Sequence, residues 1–230
     1  MNHTPDATRD RWEIGSLVAE ATGRRDRPDP RQPRTGGPAG NARLAAWTGM
    51  ILLVLLAIEG VTLIDVRGFI TWHIVVGSLL VPPALLKVAV TGWRMLRYYA
   101  GNRSYRAAGP PPLLLRLLAP LVVLSTLALL ATGIAVGVLG PQSGRASLWG
   151  TPTSLLFWHQ ASFAVWIGAT SLHVLGRLVP AARLIAGRAA TAVEGRALRG
   201  AAVLGALGAA VWVATLVLAH SAGWLHAAGR

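Results

Sequence analysis

Leu155-Leu156-Phe157-Trp158-His159 opens an apolar stretch that runs through Trp166 and Leu172-His173-Val174 to Leu178. As a helix it is long enough to cross roughly 30 Å of hydrocarbon, a distance that takes about 20 residues. It nevertheless carries two histidines, and ionisable side chains inside a membrane are costly and mark function by default. His159 and His173 are 14 residues apart. In a helix that is nearly four turns, so both imidazoles share one stripe, about 21 Å apart.

Four more stretches have the same character, at 44–64, 69–90, 117–139 and 201–219. Helices are expected in all five, because lipid offers backbone groups no partners. The composition agrees. The 230 residues are 53% hydrophobic, with a mean hydropathy of +0.50, 22 Lys plus Arg and 9 Asp plus Glu. So apolar a chain is a poor nucleic-acid binder despite its basic charge. It holds no Cys, which excludes disulfides, thiolate metal sites and covalently attached haem.

The charge supplies a topology. Residues 1–40 hold seven Arg and six acidic side chains among Pro and Gly, as in Arg27-Pro28-Asp29-Pro30-Arg31-Gln32-Pro33-Arg34. They read as a disordered tail rather than a signal peptide, with Trp12-Glu13-Ile14 at most a short contact. The loops then alternate. Arg67 and Arg145 stand alone in the first and third. Arg94, Arg97, Arg103, Arg106 and Arg116 crowd the second, and Arg177, Arg183, Arg188, Arg196 and Arg199 the fourth. Basic loops stay in the cytoplasm, which places the N-terminus inside and the C-terminus outside a bacterial cytoplasmic membrane. Trp72, Trp149, Trp158 and Trp224 then lie near the outer interface and Trp47 and Trp93 near the inner one, as ordinary anchors.

The first four spans form an internal repeat. A shift of 73 residues aligns Arg43-Leu44 with Arg116-Leu117, Ala46 with Ala119 and Gly60 with Gly133. A shift of 86 aligns Trp72-His73 with Trp158-His159, Leu86 with Leu172 and Lys87 with His173. Spans two and four run the same way, so His73 stands level with His159 and Lys87 with His173. Ala46 and Gly60 are 14 apart, as are Ala119 and Gly133. They fall at those same two levels on spans one and three. Small residues there allow a helix backbone to approach a ligand, although packing between membrane helices uses them too. Two facing imidazoles at one level can hold a haem as axial ligands. Glu59, beside Gly60, is the one acid within a span, and reads as a proton acceptor near the outer site or as an interfacial residue. His220 and His226 read as solvated interfacial residues, and His3 falls in the tail.

This pattern of ligand pairs on the second and fourth helices, with small residues on the first and third, resembles the dihaem cytochrome b of quinol–cytochrome c reductases. The Arg before a helix that ends in Thr132-Gly133 is similar to the cytochrome b subunits of bacterial hydrogenases and formate dehydrogenases. The resemblance covers residues 43–180. It implies haem b, transmembrane electron transfer, and quinone or a soluble redox partner subunit at the ends. It also implies that His73 and His159 ligate an outer haem and His173 an inner one. Lys87 departs from the family, which has His there. A neutral Lys87 amine could ligate iron, the side chain could pair with a haem propionate, or the inner haem could be absent with Lys87 snorkelling to the interface. Pro82-Pro83 should kink the helix just before it.

The expected fold is therefore an all-α integral membrane protein: a four-helix haem-binding core of two helix-pair repeats within 41–180, a cytoplasmic loop at 181–200, and a fifth transmembrane helix with a short outer tail in 201–230. The expected function is a b-type cytochrome with one haem b, or two, relaying electrons between the faces. The alternatives are a membrane anchor of a multisubunit oxidoreductase and a haem-free small-molecule transporter with a repeat of its own. No dinucleotide fingerprint or P-loop is present, so this is an electron-transfer subunit more than a stand-alone enzyme. The outer loop 140–154 and the inner loop 94–116, with Tyr98-Tyr99, Tyr105 and Pro110-Pro111-Pro112, are the expected docking or quinone elements, the latter also facing anionic lipid.

Overall fold

Lipid-facing backbone must close its own hydrogen bonds, and the chain does so as helices throughout. The computed structural model describes residues 14–22, 24, 28, 30–110, 113–142, 150, 153–186 and 193–227, and among these no strand occurs. The helices are α1 (Ile14–Ala21), α2 (Gly37–Thr62), α3 (Ile70–Leu79), α4 (Val81–Tyr99), α5 (Arg103–Ala107), α6 (Leu113–Leu139), α7 (Leu155–Ala186), α8 (Arg196–His220) and α9 (Ala222–Ala227). Five apolar stretches are long enough to cross a membrane: Gly37–Asp65, Ile70–Tyr99, Leu113–Leu139, Leu155–Ala186 and Arg196–His220. They coincide with the five expected spans and overrun most of their ends. Most of the loop at 140–154, Trp149 included, lies outside the described residues, as do Trp12, Glu13, Pro111 and Pro112.

The second span keeps helical backbone through Leu80 (φ −67°, ψ −26°), and only its hydrogen-bond ladder is interrupted where the prolines fall. α3 ends at Leu79 and α4 restarts at Val81, with Pro82 and Pro83 in its first turn. Neither proline has an N–H, so the carbonyls of Ser78 and Leu79 lose their helical donors. The Ser78 hydroxyl folds back onto the Ile74 carbonyl at 2.7 Å.

Within the stretch read as a disordered tail, the described residues include a helix, α1. Ile14, Leu17, Val18 and Ala21 recur at i, i+3, i+4 and i+7, the spacing of an amphipathic helix. That short apolar stripe is lost when composition is averaged over forty residues. The resulting α1 packs on α7, and Glu20, 5% exposed, pairs with Arg177 at 3.0 Å. Further on, α2 begins at Gly37 rather than at 44, with Pro38 in its first turn and Gly36 left-handed at φ 77°. The segment leading into it is held by the far end of the chain. The backbone N–H of Arg34 donates to Glu194 Oε2 at 2.7 Å, and Arg199 donates to the carbonyls of Thr35, Val193 and Glu194.

α6 and α7 make the most extensive helix pair, and α2 lies against α7, α3 and α4. The fifth span does not stand apart. α8 packs along α3 and α4 and touches α6, so it fills the side between spans two and three. Its buried stripe is Ala210, Ala214 and Val217, small side chains that let helix backbones come close. At the end of the molecule that bears His73, Trp224 of α9 donates its indole N–H to the Val136 carbonyl at 2.8 Å.

Within the α6–α7 pair, Trp166 is buried and donates its indole N–H to Thr126 Oγ1 at 3.0 Å. Replacing Thr126 by Val keeps the volume and orphans the indole. It is expected to lower the stability of the detergent-solubilised protein by about 0.6–1.7 kcal/mol, the range for hydrogen bonds between membrane helices. Chemical unfolding of the variant beside the parent protein measures this.

Candidate functional site

The site is built from the ends of α2 and α6 and the starts of α3 and α7. His73 lies on the first turn of α3, and His159 on the first turns of α7. Their rings face edge to face across the bundle, with centroids 6.4 Å apart and planes at 74°. The level assigned to the two histidines by the repeat is the level at which they meet.

Each ring is oriented through Nδ1. His73 Nδ1 lies 2.8 Å from Glu59 Oε1 and 3.1 Å from Thr62 Oγ1. The Thr62 hydroxyl donates to the Glu59 carbonyl at 2.6 Å, so its oxygen is an acceptor toward the ring. His159 Nδ1 lies 3.2 Å from Thr132 Oγ1, whose proton goes to the Ala128 and Leu129 carbonyls. With acceptors on Nδ1 in both cases, Nδ1 carries the proton, and in the neutral form of each ring Nε2 is the nitrogen with a lone pair for a ligand. This arrangement, a ring N–H held by a carboxylate or hydroxyl so that the opposite nitrogen can bind metal, is the usual support of a metal-binding histidine.

The two acceptors are equivalent in the repeat. Glu59 precedes Gly60 and Thr132 precedes Gly133, and the same shift of 73 residues relates both pairs. Each half of the chain thus contributes one histidine and, from the preceding helix, one group that fixes it. Sequence reasoning weighed Glu59 as a proton acceptor or an interfacial residue, used Thr132 only as a family mark, and missed Thr62. The signal lay in the residue immediately before each aligned glycine.

The small residues divide. A Cβ on Gly133 would lie 3.0 Å from His159 Cε1, so the missing side chain makes room for the imidazole itself. Gly60 is exposed and a Cβ there would meet nothing within 4 Å; the protein does not crowd it. Gly77, one turn beyond His73, leaves space for the Glu59 carboxylate, which would stand 3.5 Å from a Cβ at that position.

At the opposite end the arrangement differs. Lys87 Nζ donates to the backbone carbonyl of Ala45 on α2. It lies over Gly49, where a Cβ would come within 3.0 Å of it. The amine is thus turned toward the first span. His173 is half-buried, its Nδ1 has no hydrogen-bond partner among the described residues, and the charges of Arg177 and Lys87 both act on it. Ala46 is buried and Ala119 half-buried. Among the described residues, no group holds His173 Nδ1 as Glu59 and Thr132 hold the other two rings.

The donor set limits the chemistry. Among the described residues no group of three His, Cys, Asp or Glu side chains could enclose a metal ion. A metal site built from protein ligands alone needs three or four. Two neutral imidazoles suit a metal that brings its other ligands with it, as haem iron does. The spacing fits: two imidazoles bound to one metal at about 2 Å each place their ring centroids about 6 Å apart, against the 6.4 Å observed.

Comparison with protein families, with curated proteins and with solved structures finds no match for this chain.

The two glycines predict a contrast. Gly133→Ala is expected to push on the His159 ring and to lower stability by about 1 kcal/mol or more relative to Gly60→Ala, as overpacking does. Gly60→Ala is expected to be neutral or slightly stabilising, because alanine is the better helix former. Paired unfolding curves in one detergent report the difference.

Proposed function

We propose that this chain is a b-type cytochrome of a bacterial cytoplasmic membrane that passes electrons between quinone or a redox partner on one face and an acceptor on the other. The observation that carries this reading is the His73–His159 pair: two rings 6.4 Å apart, each with Nδ1 tied to the helix before it. Haem b would supply a one-electron couple there. His73 and His159 would provide the axial nitrogens. Glu59, Thr62 and Thr132 hold those rings in the tautomer that ligation needs, and Gly133 admits the His159 ring to its position.

One haem per chain is the proposed stoichiometry. The amine of Lys87 is engaged by the Ala45 carbonyl, and among the described residues no group holds His173 Nδ1. In this reading Lys87 and Arg177 form a positively charged end of the bundle rather than a second metal site. The basic loops support a cytoplasmic position for that end and an outer one for the His73 end.

Dithionite-reduced minus oxidised spectra of the purified protein, with pyridine haemochrome quantification, are expected to give one haem b per chain. Its absence would sink the proposal, and two would restore a second site near His173. His73→Ala and His159→Ala are each expected to abolish the signal, whereas Lys87→Met is expected to leave both amount and spectrum unchanged.

The chain has no Cys, so single introduced cysteines report topology without background. Asn102→Cys is expected to react with a membrane-impermeant maleimide only after the cells are permeabilised, and Gln142→Cys before. The reverse order would overturn the orientation.

A further inference from the structure

The two ligand histidines are equivalent in the repeat but are not supported alike. On His159 the acceptor is a hydroxyl, Thr132, at 3.2 Å. On His73 it is a carboxylate, Glu59, at 2.8 Å, with the Thr62 hydroxyl as a second acceptor at 3.1 Å. Glu59 is only 14% exposed at its side chain, and its other oxygen, Oε2, is buried without a hydrogen-bond partner among the described residues. The carboxylate is therefore directed at the imidazole and little screened by solvent. Such a bond draws the Nδ1 proton away and makes Nε2 a stronger base than a hydroxyl partner would. A charged acceptor also gives the shorter and stronger hydrogen bond.

We propose that Glu59 is a positioning residue that sets the redox potential of the iron held by His73 and His159. Acting through the His73 ring, it makes the two axial ligands unequal and favours the ferric state. The inference rests on the haem reading of the site and goes beyond it. The sign follows from charge. A basic Nε2 and a nearby negative charge both stabilise the more positive iron, so the carboxylate lowers the potential. Second-shell hydrogen bonding of this kind is one of the main means by which a protein tunes haem.

Glu59→Gln is nearly isosteric, and its amide oxygen still accepts from Nδ1. It removes the charge and little else. Spectroelectrochemical titration of the purified haem-loaded protein at neutral pH is expected to show the ferric-to-ferrous equilibrium moved at least tenfold toward ferrous, a rise of about 59 mV for one electron. Haem content should equal that of the parent. The low-spin ferric EPR spectrum should shift in the variant, which a merely structural role would not cause. Glu59→Thr, which copies the group on the other half of the repeat, is expected to raise the potential in the same sense. Thr132→Glu is expected to lower it below that of the parent. An unchanged potential in Glu59→Gln with haem retained would overturn this inference and leave the function intact. Loss of haem from both Glu59 variants would also overturn it, by showing Glu59 to be needed for assembly rather than tuning. A parent protein without haem would instead overturn the function itself.

Discussion

A neutral histidine inside a membrane has one nitrogen that must donate and one that must accept, and lipid serves neither. The cost is met here on the donor side by groups of the preceding helix: Glu59 and Thr62 for His73, Thr132 for His159. Much else follows from those bonds. They require α2 to end beside α3, and α6 to end beside α7, with both junctions at the same height. They leave two lone pairs on opposing rings, and neither junction closes unless the helices carrying them approach closely. Glycine at 133 provides the space on the His159 side.

The spans and the level of the histidines were legible in the sequence because each rests on a one-dimensional quantity: the length of an apolar run, or a helical spacing. What was not legible depends on where a side chain turns. Glu59 and Gly60 are neighbours, and the alignment drew attention to the glycine, yet the acid reaches His73 while Gly60 is exposed. The same holds for Lys87. Its spacing from His73 sets its level along the span but not the neighbour that a long, flexible side chain takes, and the amine ends on the Ala45 carbonyl.

Two other departures share a cause. Averaging composition over residues 1–40 hid the eight residues of α1, whose apolar stripe is too short to weigh in the mean. Reading the fifth span as an addition to a four-helix core missed the fact that α8 lies along the second span. Ala210 and Ala214 are as bland in sequence as any alanines; only their common burial shows that they form a contact face. Packing partners are chosen in three dimensions, by which small faces meet, and periodicity does not record that choice.

The prolines at 82 and 83 have a further consequence for the second span. They leave two carbonyls, those of Ser78 and Leu79, without helical donors in the middle of an apolar crossing, and such groups are costly where lipid can reach them. The residues around them are buried: Ser78, Leu80, Pro83 and Ala84. α8 packs along both α3 and α4. The fifth span therefore serves as a cover for a polar seam that the second span could not present to hydrocarbon.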